Sequence, residues 1–150
     1  MAGISVATGN SFLATVDALK SELGDERWIT VSGISMSLKI EPREEGGVVT
    51  HTRFETGWRS YTDLVLTRAV DEKTPKLVNW FAKHAYKVVP GTGSVRIMKP
   101  DGSTLHTYTF NHMVPWTYKG PDLGMDKTGI ITESVTFKHY GFADSLNGST

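Results

Sequence analysis

The clearest alternation of apolar and polar positions lies near the C-terminal end of the chain. Ile131, Val135 and Phe137 share one parity with Glu133, and the residues between them are mostly polar. Because successive side chains leave a pleated backbone on opposite faces, this pattern predicts a half-buried β-strand. The Gly-Pro-Asp turn at residues 120–122 precedes it. Since proline fixes φ and glycine permits a positive φ, we expect a rigid loop at the entrance of this strand.

Similar alternation predicts four further strands. The first, Trp28–Ile40, carries Gly33 in its middle, which predicts a bulge or kink. The others are residues 61–70, 94–99 and 104–116, and a Pro-Asp-Gly-Ser turn joins the last two as a hairpin. Residues 12–19 fit either a short strand or a helical turn, and both interpretations stay open here.

One amphipathic helix is predicted between the second and third of these additional strands. Thr74 is a good N-cap, and Pro75 suits the first helical position, where its missing N–H costs no hydrogen bond. Leu77, Trp80 and Phe81 then recur at helical spacing and form an apolar face. We expect the helix to pack on the sheet through Trp80 and Phe81.

The order of the predicted elements, β-β-loop-β-α-β-β-β, indicates the fold class. One short helix among long antiparallel strands predicts a mainly β fold, a rolled sheet or small barrel with one flanking α-helix. The residues expected in its structural core are Trp80, Phe81, Trp116, Val135 and Phe137. A chain of 150 residues is one domain by size, with an expected flexible arm at residues 1–10 and a polar tail at residues 143–150.

Residues 41–59 combine acidic, glycine-rich and apolar character. Pro42 and the glycine pair at residues 46–47 are expected to break regular pairing, and acidic residues cluster beside them. The segment then places four apolar side chains in a polar stretch: Val48, Val49, Phe54 and Trp58. Composition alone leaves two interpretations open, a long solvated hairpin or loop and a protruding hairpin whose apolar residues await a partner.

The overall composition is that of a globular domain without a dominant charge. Hydrophobic residues make up 39% and charged residues 21%, with 16 basic residues against 16 acidic ones. This balance provides no global field to attract nucleic acid or an anionic membrane. There are no cysteines, which excludes disulfides, thiolate metal sites and cysteine nucleophiles. The N-terminus lacks the pattern of a secretory signal, so we expect synthesis and folding in the cytoplasm.

The sequence holds no pattern of catalytic, metal-binding or cofactor-binding residues. Gly91-Thr92-Gly93 is a fragment of a phosphate loop, but it precedes a predicted strand instead of a helix. The five histidines form no helical pair, and no serine lies in a nucleophile elbow. We therefore expect no enzyme, metal or cofactor. A monomeric ligand-binding β-barrel remains an alternative, since aromatic side chains on a sheet can line a cavity.

Several short motifs are spread over roughly residues 30–142. Two of them are Glu44-Glu45-Gly46-Gly47 followed by Leu64-Val65-Leu66-Thr67-Arg68, and Val78-Asn79-Trp80-Phe81. They resemble the "EGG … LTLKRG" segment and the helix of one known family, the contractile phage tail tube proteins. Met98-Lys99-Pro100-Asp101-Gly102 resembles its hairpin. Met113-Val114-Pro115-Trp116, Ile131-Thr132-Glu133, Phe137, His139 and Gly141 resemble its C-terminal pattern. Ala69 stands where the family usually has glycine, and the Gly-Pro-Asp turn is displaced.

The resemblance implies a structural subunit of a hollow inner tube, made of stacked hexameric rings, with no catalytic role. The implied partners are other copies of the chain, a contractile sheath, baseplate or spike and cap proteins, and a cargo effector or DNA in the lumen. Assembly in the cytoplasm would precede incorporation into an extracellular or cell-anchored particle or a virion tail. The expected subunit and stacking contacts are Glu44, Glu45, Gly46, Gly47, Val48, Val49, Arg53, Phe54, Trp58, Gly120, Pro121 and Asp122. A tube initiator or baseplate homologue of the same family is the alternative assignment.

Overall fold

Strands dominate the computed structural model, which describes residues 6–23, 28–44 and 52–142. The strands in this part of the chain are β1 (Phe12–Val16), β2 (Trp28–Ser32), β3 (Met36–Glu44), β4 (Thr52–Tyr61), β5 (Leu64–Ala69), β6 (Gly91–Met98), β7 (Thr104–Lys119) and β8 (Thr132–Lys138). A 3₁₀ turn (Asp17–Leu19) leads into the short helix α1 (Lys20–Leu23), and the longer helix α2 (Thr74–Lys83) follows β5. Both interpretations of residues 12–19 therefore hold, each for one half of the segment.

Six of the strands form one antiparallel sheet in the order β1-β6-β7-β8-β5-β2. β1 and β2 lie at opposite ends of this order and approach each other, so the sheet is rolled. β3 and β4 pair separately as a two-stranded hairpin. The prediction of a mainly β, rolled antiparallel sheet with a flanking helix and a protruding hairpin is confirmed.

The hydrophobic core fills the space inside the roll. Leu19, Leu77, Phe110, Val135 and Phe137 are essentially inaccessible to solvent. Burying a Leu or Phe side chain stabilises the folded state by about 1.5–3 kcal/mol. Trp80 and Phe81 of α2 pack against this core as half-buried side chains, with the Trp80 ring 6.3 Å from that of Phe137.

β7 carries two bulges that change which side chains face the core. Its register to β6 passes from Gly93↔Phe110 to Gly91↔Met113, which leaves one extra residue in β7. A second extra residue follows Pro115 where β7 pairs with β8. Each inserted residue reverses the alternation of faces. The first reversal makes Phe110 and Met113 both buried and turns the following positions around, and Trp116, which lies at the second bulge, is 61% exposed. The prediction of Trp116 as a core residue is therefore wrong.

The segment predicted as one strand, Trp28–Ile40, is two strands separated at Gly33. Gly33 has a φ of 92°, and a Cβ atom there would lie 2.0 Å from the carbonyl oxygen of Asp63. Only glycine fits this left-handed, crowded position, where the chain leaves the rolled sheet and enters the hairpin.

Regular pairing in the hairpin continues through Pro42, which lies opposite Phe54. The expectation that Pro42 interrupts pairing is therefore wrong. Each strand of a two-stranded hairpin has one unpaired edge, where a residue without an N–H is tolerated.

Helix α2 begins one residue earlier than predicted. Thr74 is its first residue and Lys73 occupies the N-cap position without a side-chain capping bond. The Thr74 hydroxyl instead donates to Glu133, 3.0 Å away on β8. Neither of the described α-helices has the length and apolar character needed to cross a bilayer. Residues 1–5 and the predicted tail at 143–150 lie outside the described residues.

Candidate assembly surfaces

The β3–β4 hairpin carries most of the residues that the sequence assigned to subunit contacts. Its described end is the pair Glu44↔Thr52, followed toward the base by Arg43↔Arg53 and Pro42↔Phe54. Glu44, Arg53 and Phe54 therefore belong to paired strands. Glu45, Gly46, Gly47, Val48 and Val49 lie outside the described residues.

Large apolar side chains are exposed along the inner half of the hairpin. Trp58 is 77% exposed, Leu38 59% and Met36 43%. Met36 and Leu38 alternate along β3 and share a face, whereas a bulge between Leu38 and Ile40 places Trp58 beside Lys39, whose Nζ lies 5.9 Å from the indole centroid. Exposed apolar groups grouped in this way are typical of surfaces that bind another protein.

A second exposed apolar group occupies the loop between β7 and β8, residues 120–131. Gly120 and Pro121 at its start are half-buried and Asp122 is exposed. The most exposed large side chains come after them: Leu123 is 74% exposed, Ile130 82% and Met125 fully.

Sequence reasoning selected the turn residues of this loop and missed its apolar ones. The available signal was the presence of four large apolar residues in a segment otherwise rich in Gly and Asp. The loop also borders a cleft of about 560 Å³ that reaches Glu133 at its floor.

A buried polar network lies at the foot of this loop. Arg68 of β5 and Glu133 of β8 are register partners, and the Arg68 Nη1 donates to Glu133 Oε1 at 2.6 Å. Glu133 also accepts from the Tyr118 hydroxyl at 2.6 Å and from the Thr74 hydroxyl at 3.0 Å. Burial, together with the bond to Glu133 and its charge, raises the pKa of Tyr118 to about 12. With three donors on its carboxylate, Glu133 is a structural acceptor and not a free base.

The network continues into the segment that starts helix α2. Arg68 Nη2 donates to Asp71 Oδ2 at 2.8 Å, and the Lys73 amide donates to Asp71 Oδ1 at 2.9 Å. Burial would raise the pKa of Asp71, but hydrogen bonds from Arg68 and from the Lys73 amide outweigh it and lower the pKa. The Lys73 ammonium donates to the Leu23 carbonyl at 2.7 Å, which ties α1 to the same corner. The network thus joins β5, β7 and β8 to the start of α2 and the end of α1.

A third group of contacts lies where the hairpin leaves the barrel. His139 Nε2 is 3.0 Å from the carbonyl oxygen of Thr62, and the Thr62 hydroxyl donates to the Gly33 carbonyl at 2.7 Å. The Tyr61 ring contacts the rings of His139 and Phe142 at centroid distances of 5.7 and 5.2 Å. The root of the hairpin is therefore packed against the end of β8.

These surfaces have the geometry of contacts between proteins and not of a catalytic centre. Within residues 6–23, 28–44 and 52–142, no group of His, Asp and Glu side chains is arranged to hold a metal ion. The polar side chains that converge are those of the Arg68–Glu133 network, which is internally bonded. The hairpin and the 120–131 loop also expose large apolar side chains, among them Trp58, Met125 and Ile130.

Comparison with known protein families identifies the fold. Residues 10–143 match the profile of the T4-like virus tail tube protein gp19 family. The chain belongs to this tail tube family. Tail tube proteins are structural components and not enzymes, so the expected absence of an active site follows from membership.

Solved structures share the tail tube fold at low sequence identity. A chain of the anti-feeding prophage baseplate is 18% identical, with a TM-score of 0.76 over 93% of each chain. A chain of the PVC sheath-tube complex, from an extracellular contractile injection system, is 16% identical, with a TM-score of 0.74 over 89% of this chain and 87% of that one. Hcp1 from Flavobacterium johnsoniae is 20% identical, with a TM-score of 0.52 over 86% and 89% of the two chains. At such identities the likeness establishes the fold alone. No curated protein matches the chain significantly.

Proposed function

We propose that this protein is the repeating subunit of the hollow inner tube of a contractile injection system or phage tail. The observation that carries the proposal is the tail tube family match over residues 10–143, on a rolled sheet with a protruding hairpin. The likeness in fold to a chain of an extracellular contractile injection system supports it. The baseplate structure with a similar chain has six-fold symmetry, which supports hexameric rings.

In this proposal the hairpin and the loop are the contacts between copies. The hairpin residues from Glu44 to Trp58 lie on a neighbouring subunit, and strand edges pair across the boundary. The 120–131 loop, with Gly120, Pro121 and Asp122 fixing its entrance, meets the next ring. Stacking of rings is a head-to-tail contact that does not close on itself, and such contacts generate filaments.

The partners follow from the same assignment. A contractile sheath surrounds the tube, baseplate or spike proteins and a cap bind its ends, and a cargo effector, or DNA in a virion, occupies the lumen. Solved complexes that contain similar chains include a sheath-tube complex, a sheath/tube terminator and a tube-terminating cap, which supports these classes of partner. Assembly takes place in the cytoplasm before the particle acts outside the cell or at its surface.

The experiment is negative-stain electron microscopy of the purified protein, alone and within its native particle. Rings or hollow six-fold tubes are the expected result. A protein that stays monomeric at high concentration and is absent from every tube would refute the proposal and favour a monomeric ligand-binding barrel.

A deletion tests the hairpin separately. Removal of residues 46–54 should leave a folded monomer that no longer stacks into tubes, because the barrel core lies outside that segment. Tubes of normal length from the deleted protein would exclude the hairpin from stacking.

A tube initiator or terminator of the same family is the second candidate. Similar chains occur in the anti-feeding prophage baseplate and in a sheath/tube terminator, with TM-scores of 0.76 and 0.75. Gold-labelled antibody against the protein discriminates these roles in native particles. A main tube subunit is labelled along the whole exposed tube, and an initiator or terminator only at one end.

A further inference from the structure

Among the described residues, contacts join the hairpin to the barrel at its root. β3 and β4 form a sheet of their own, and the chain enters them through Gly33 and leaves them through Thr62 and Asp63. Thr62 bonds back to this entry segment through its amide, which donates to the Ser35 carbonyl, and through its hydroxyl, which donates to the Gly33 carbonyl. The direction of the hairpin therefore depends on what holds residues 61–63 against the barrel.

His139 provides that attachment from the end of β8. Its Nε2 lies 3.0 Å from the Thr62 carbonyl oxygen, an acceptor, so Nε2 carries the proton of the neutral ring. The imidazole also packs edge-on against Phe110, with ring centroids 4.8 Å apart, and against Tyr61. Tyr61 in turn fills the space beside Gly141, where a Cβ atom would lie 2.5 Å from its ring. We call Tyr61, Thr62, His139 and Gly141 the clasp.

The second ring nitrogen of His139 is the unusual feature of the clasp. Nδ1 is buried and has no hydrogen-bond partner among the described residues. In the neutral ring Nδ1 is an acceptor, and leaving it unpaired is tolerated. Protonation would convert it into a charged donor without an acceptor, which is far more costly in an apolar setting.

The charges around the imidazole do not remove this cost. From the segment after β4, Asp63 faces the ring, but it is paired with Lys138 of β8, with 3.7 Å between Lys138 Nζ and Asp63 Oδ1. Tyr61 contributes its ring, and β7 presents Phe110. Burial lowers the pKa of His139 below its ordinary value of 6.5, and the Thr62 carbonyl and the Asp63 charge oppose this shift only in part.

We propose that His139 is a positioning residue that fixes the direction of the β3–β4 hairpin, and that protonation of its imidazole opens the clasp. The docked clasp binds a proton less readily than the open one. It is therefore stable above the ordinary histidine pKa and is lost as pH falls through the lower pKa of the docked ring. The consequence for tubes is that they assemble at neutral pH and fail to assemble in acid. This consequence rests on the function proposed above.

The test measures the direction of the hairpin in the dilute soluble subunit. Because the chain has no cysteine, two introduced cysteines are the only sites that a thiol-specific spin label modifies. Labels at Glu44→Cys, at the outer end of β3, and at Thr107→Cys, on β7, give one distance by double electron–electron resonance. One narrow distance distribution is expected at about pH 7.5, and its loss to a broad one at about pH 5. An equally narrow distribution at both values overturns the proposal.

Two variants assign the response to His139. His139→Gln retains an N–H donor near the Nε2 position and cannot be protonated, so its distribution should stay narrow at both pH values. His112→Asn is the control, because His112 is an exposed histidine stacked on Tyr140 with a φ of 51°, which Asn tolerates. It should keep the wild-type response. Broadening of the His139→Gln variant in acid to the wild-type extent overturns the proposal.

A measurement on the wild-type sequence covers the case in which His139→Gln does not fold. The His139 ring titration, followed by NMR, should have the same midpoint as the change in distance, and clearly different midpoints overturn the proposal. Electron microscopy separates the two hypotheses. If the clasp opens in acid but the protein never forms tubes, the clasp proposal stands and the proposed tube function is refuted. If tubes form but the hairpin distance does not change with pH, the clasp proposal is refuted and the tube function stands.

Discussion

Arg68 and Glu133 lie opposite each other on β5 and β8, with 2.6 Å between Nη1 and Oε1, and both side chains are almost completely buried. A buried ion pair is expensive to form, and removing one partner leaves a charge that the interior cannot solvate. Here the pair joins the sheet to the start of α2 and to the strand that precedes the 120–131 loop. Its integrity therefore governs both the stability of the subunit and the placement of a proposed contact surface.

The first prediction concerns this pair. Glu133→Leu should lower the free energy of unfolding by about 3–5 kcal/mol, because it leaves Arg68 undercompensated and the Tyr118 and Thr74 hydroxyls without their acceptor. Urea denaturation of the soluble subunit measures the loss.

Two further variants test the cause of that loss. In the double variant Arg68→Met/Glu133→Leu no buried charge is left unpaired, because Asp71, which also loses Arg68 as a partner, has a 48% exposed side chain and still accepts from the Lys73 amide. The double variant should therefore be more stable than Glu133→Leu alone. Lys20→Ala removes an exposed pair with Asp17, 3.7 Å apart, and should change stability little. A Glu133→Leu protein as stable as Lys20→Ala would show that the buried pair is not critical.

The second prediction concerns alkaline stability. The pKa of Tyr118 is raised from its ordinary 10.0 to about 12, so the folded state retains a proton that the unfolded state releases. The stabilisation that the Tyr118 hydroxyl provides is complete below its ordinary pKa of 10.0 and is lost as the pH rises through its pKa in the folded state. Between these values Tyr118→Phe should lose less stability per pH unit than wild type. Tyr86→Phe, at a 94% exposed position, is the control and should follow wild type. Parallel curves for all three proteins would contradict the raised pKa.

The third prediction compares two glycines with the same backbone conformation. Gly33 and Gly102 have φ values of 92° and 91°, but a Cβ at Gly33 meets the Asp63 carbonyl at 2.0 Å, and one at Gly102 meets no atom within 4 Å. Gly102→Ala should cost only the backbone strain, about 1 kcal/mol. Gly33→Ala should cost at least about 2 kcal/mol, because backbone atoms must move as well. Equal midpoints in thermal unfolding would mean that the contact at Gly33 relaxes freely.

The fourth prediction separates assembly from folding in the 120–131 loop. Met125→Ser and Ile130→Ser remove exposed apolar groups, so each should change the free energy of unfolding by less than about 0.5 kcal/mol. Both should shorten or abolish tubes, since these side chains are proposed to be buried between rings. Val89→Ser alters a 55% exposed valine after α2, outside the proposed contacts, and should assemble normally. Tubes of unchanged length from Met125→Ser and Ile130→Ser would place the ring contact elsewhere.

Alternation along the sequence was sufficient to predict β5, β6, β7 and β8, because side-chain parity is a local property. It fails at Trp116, because a bulge between Phe110 and Met113 reverses the parity before it and nothing in the residue types marks that bulge. It also merges β2 and β3, since the alternation continues past Gly33 although the backbone turns away there. Local patterns cannot show that a strand changes sheet.

The residues of the candidate surfaces were also predicted only in part. Composition marked the hairpin segment and the turn at the loop entrance, and the family resemblance gave both their proposed role as contacts, whereas neither indicated the Arg68–Glu133 pair. Its members lie far apart in sequence and meet only through the pairing of β5 with β8. The resemblance marked Arg68, Glu133, His139 and Gly141 as parts of motifs without indicating what they contact. Their contacts belong to the tertiary structure.

The strand order of the rolled sheet also determines when each part of the subunit can form. The β3–β4 hairpin pairs residues that are close in sequence and can form as soon as they are synthesised. β1 pairs with β6 through Phe12↔Ile97, across more than half of the 150-residue chain. Because such distant pairing has to wait for the intervening chain, β1 is secured late although it is synthesised before the other described strands. The strands of the element proposed to reach a neighbouring subunit can therefore pair before the barrel that carries them is closed.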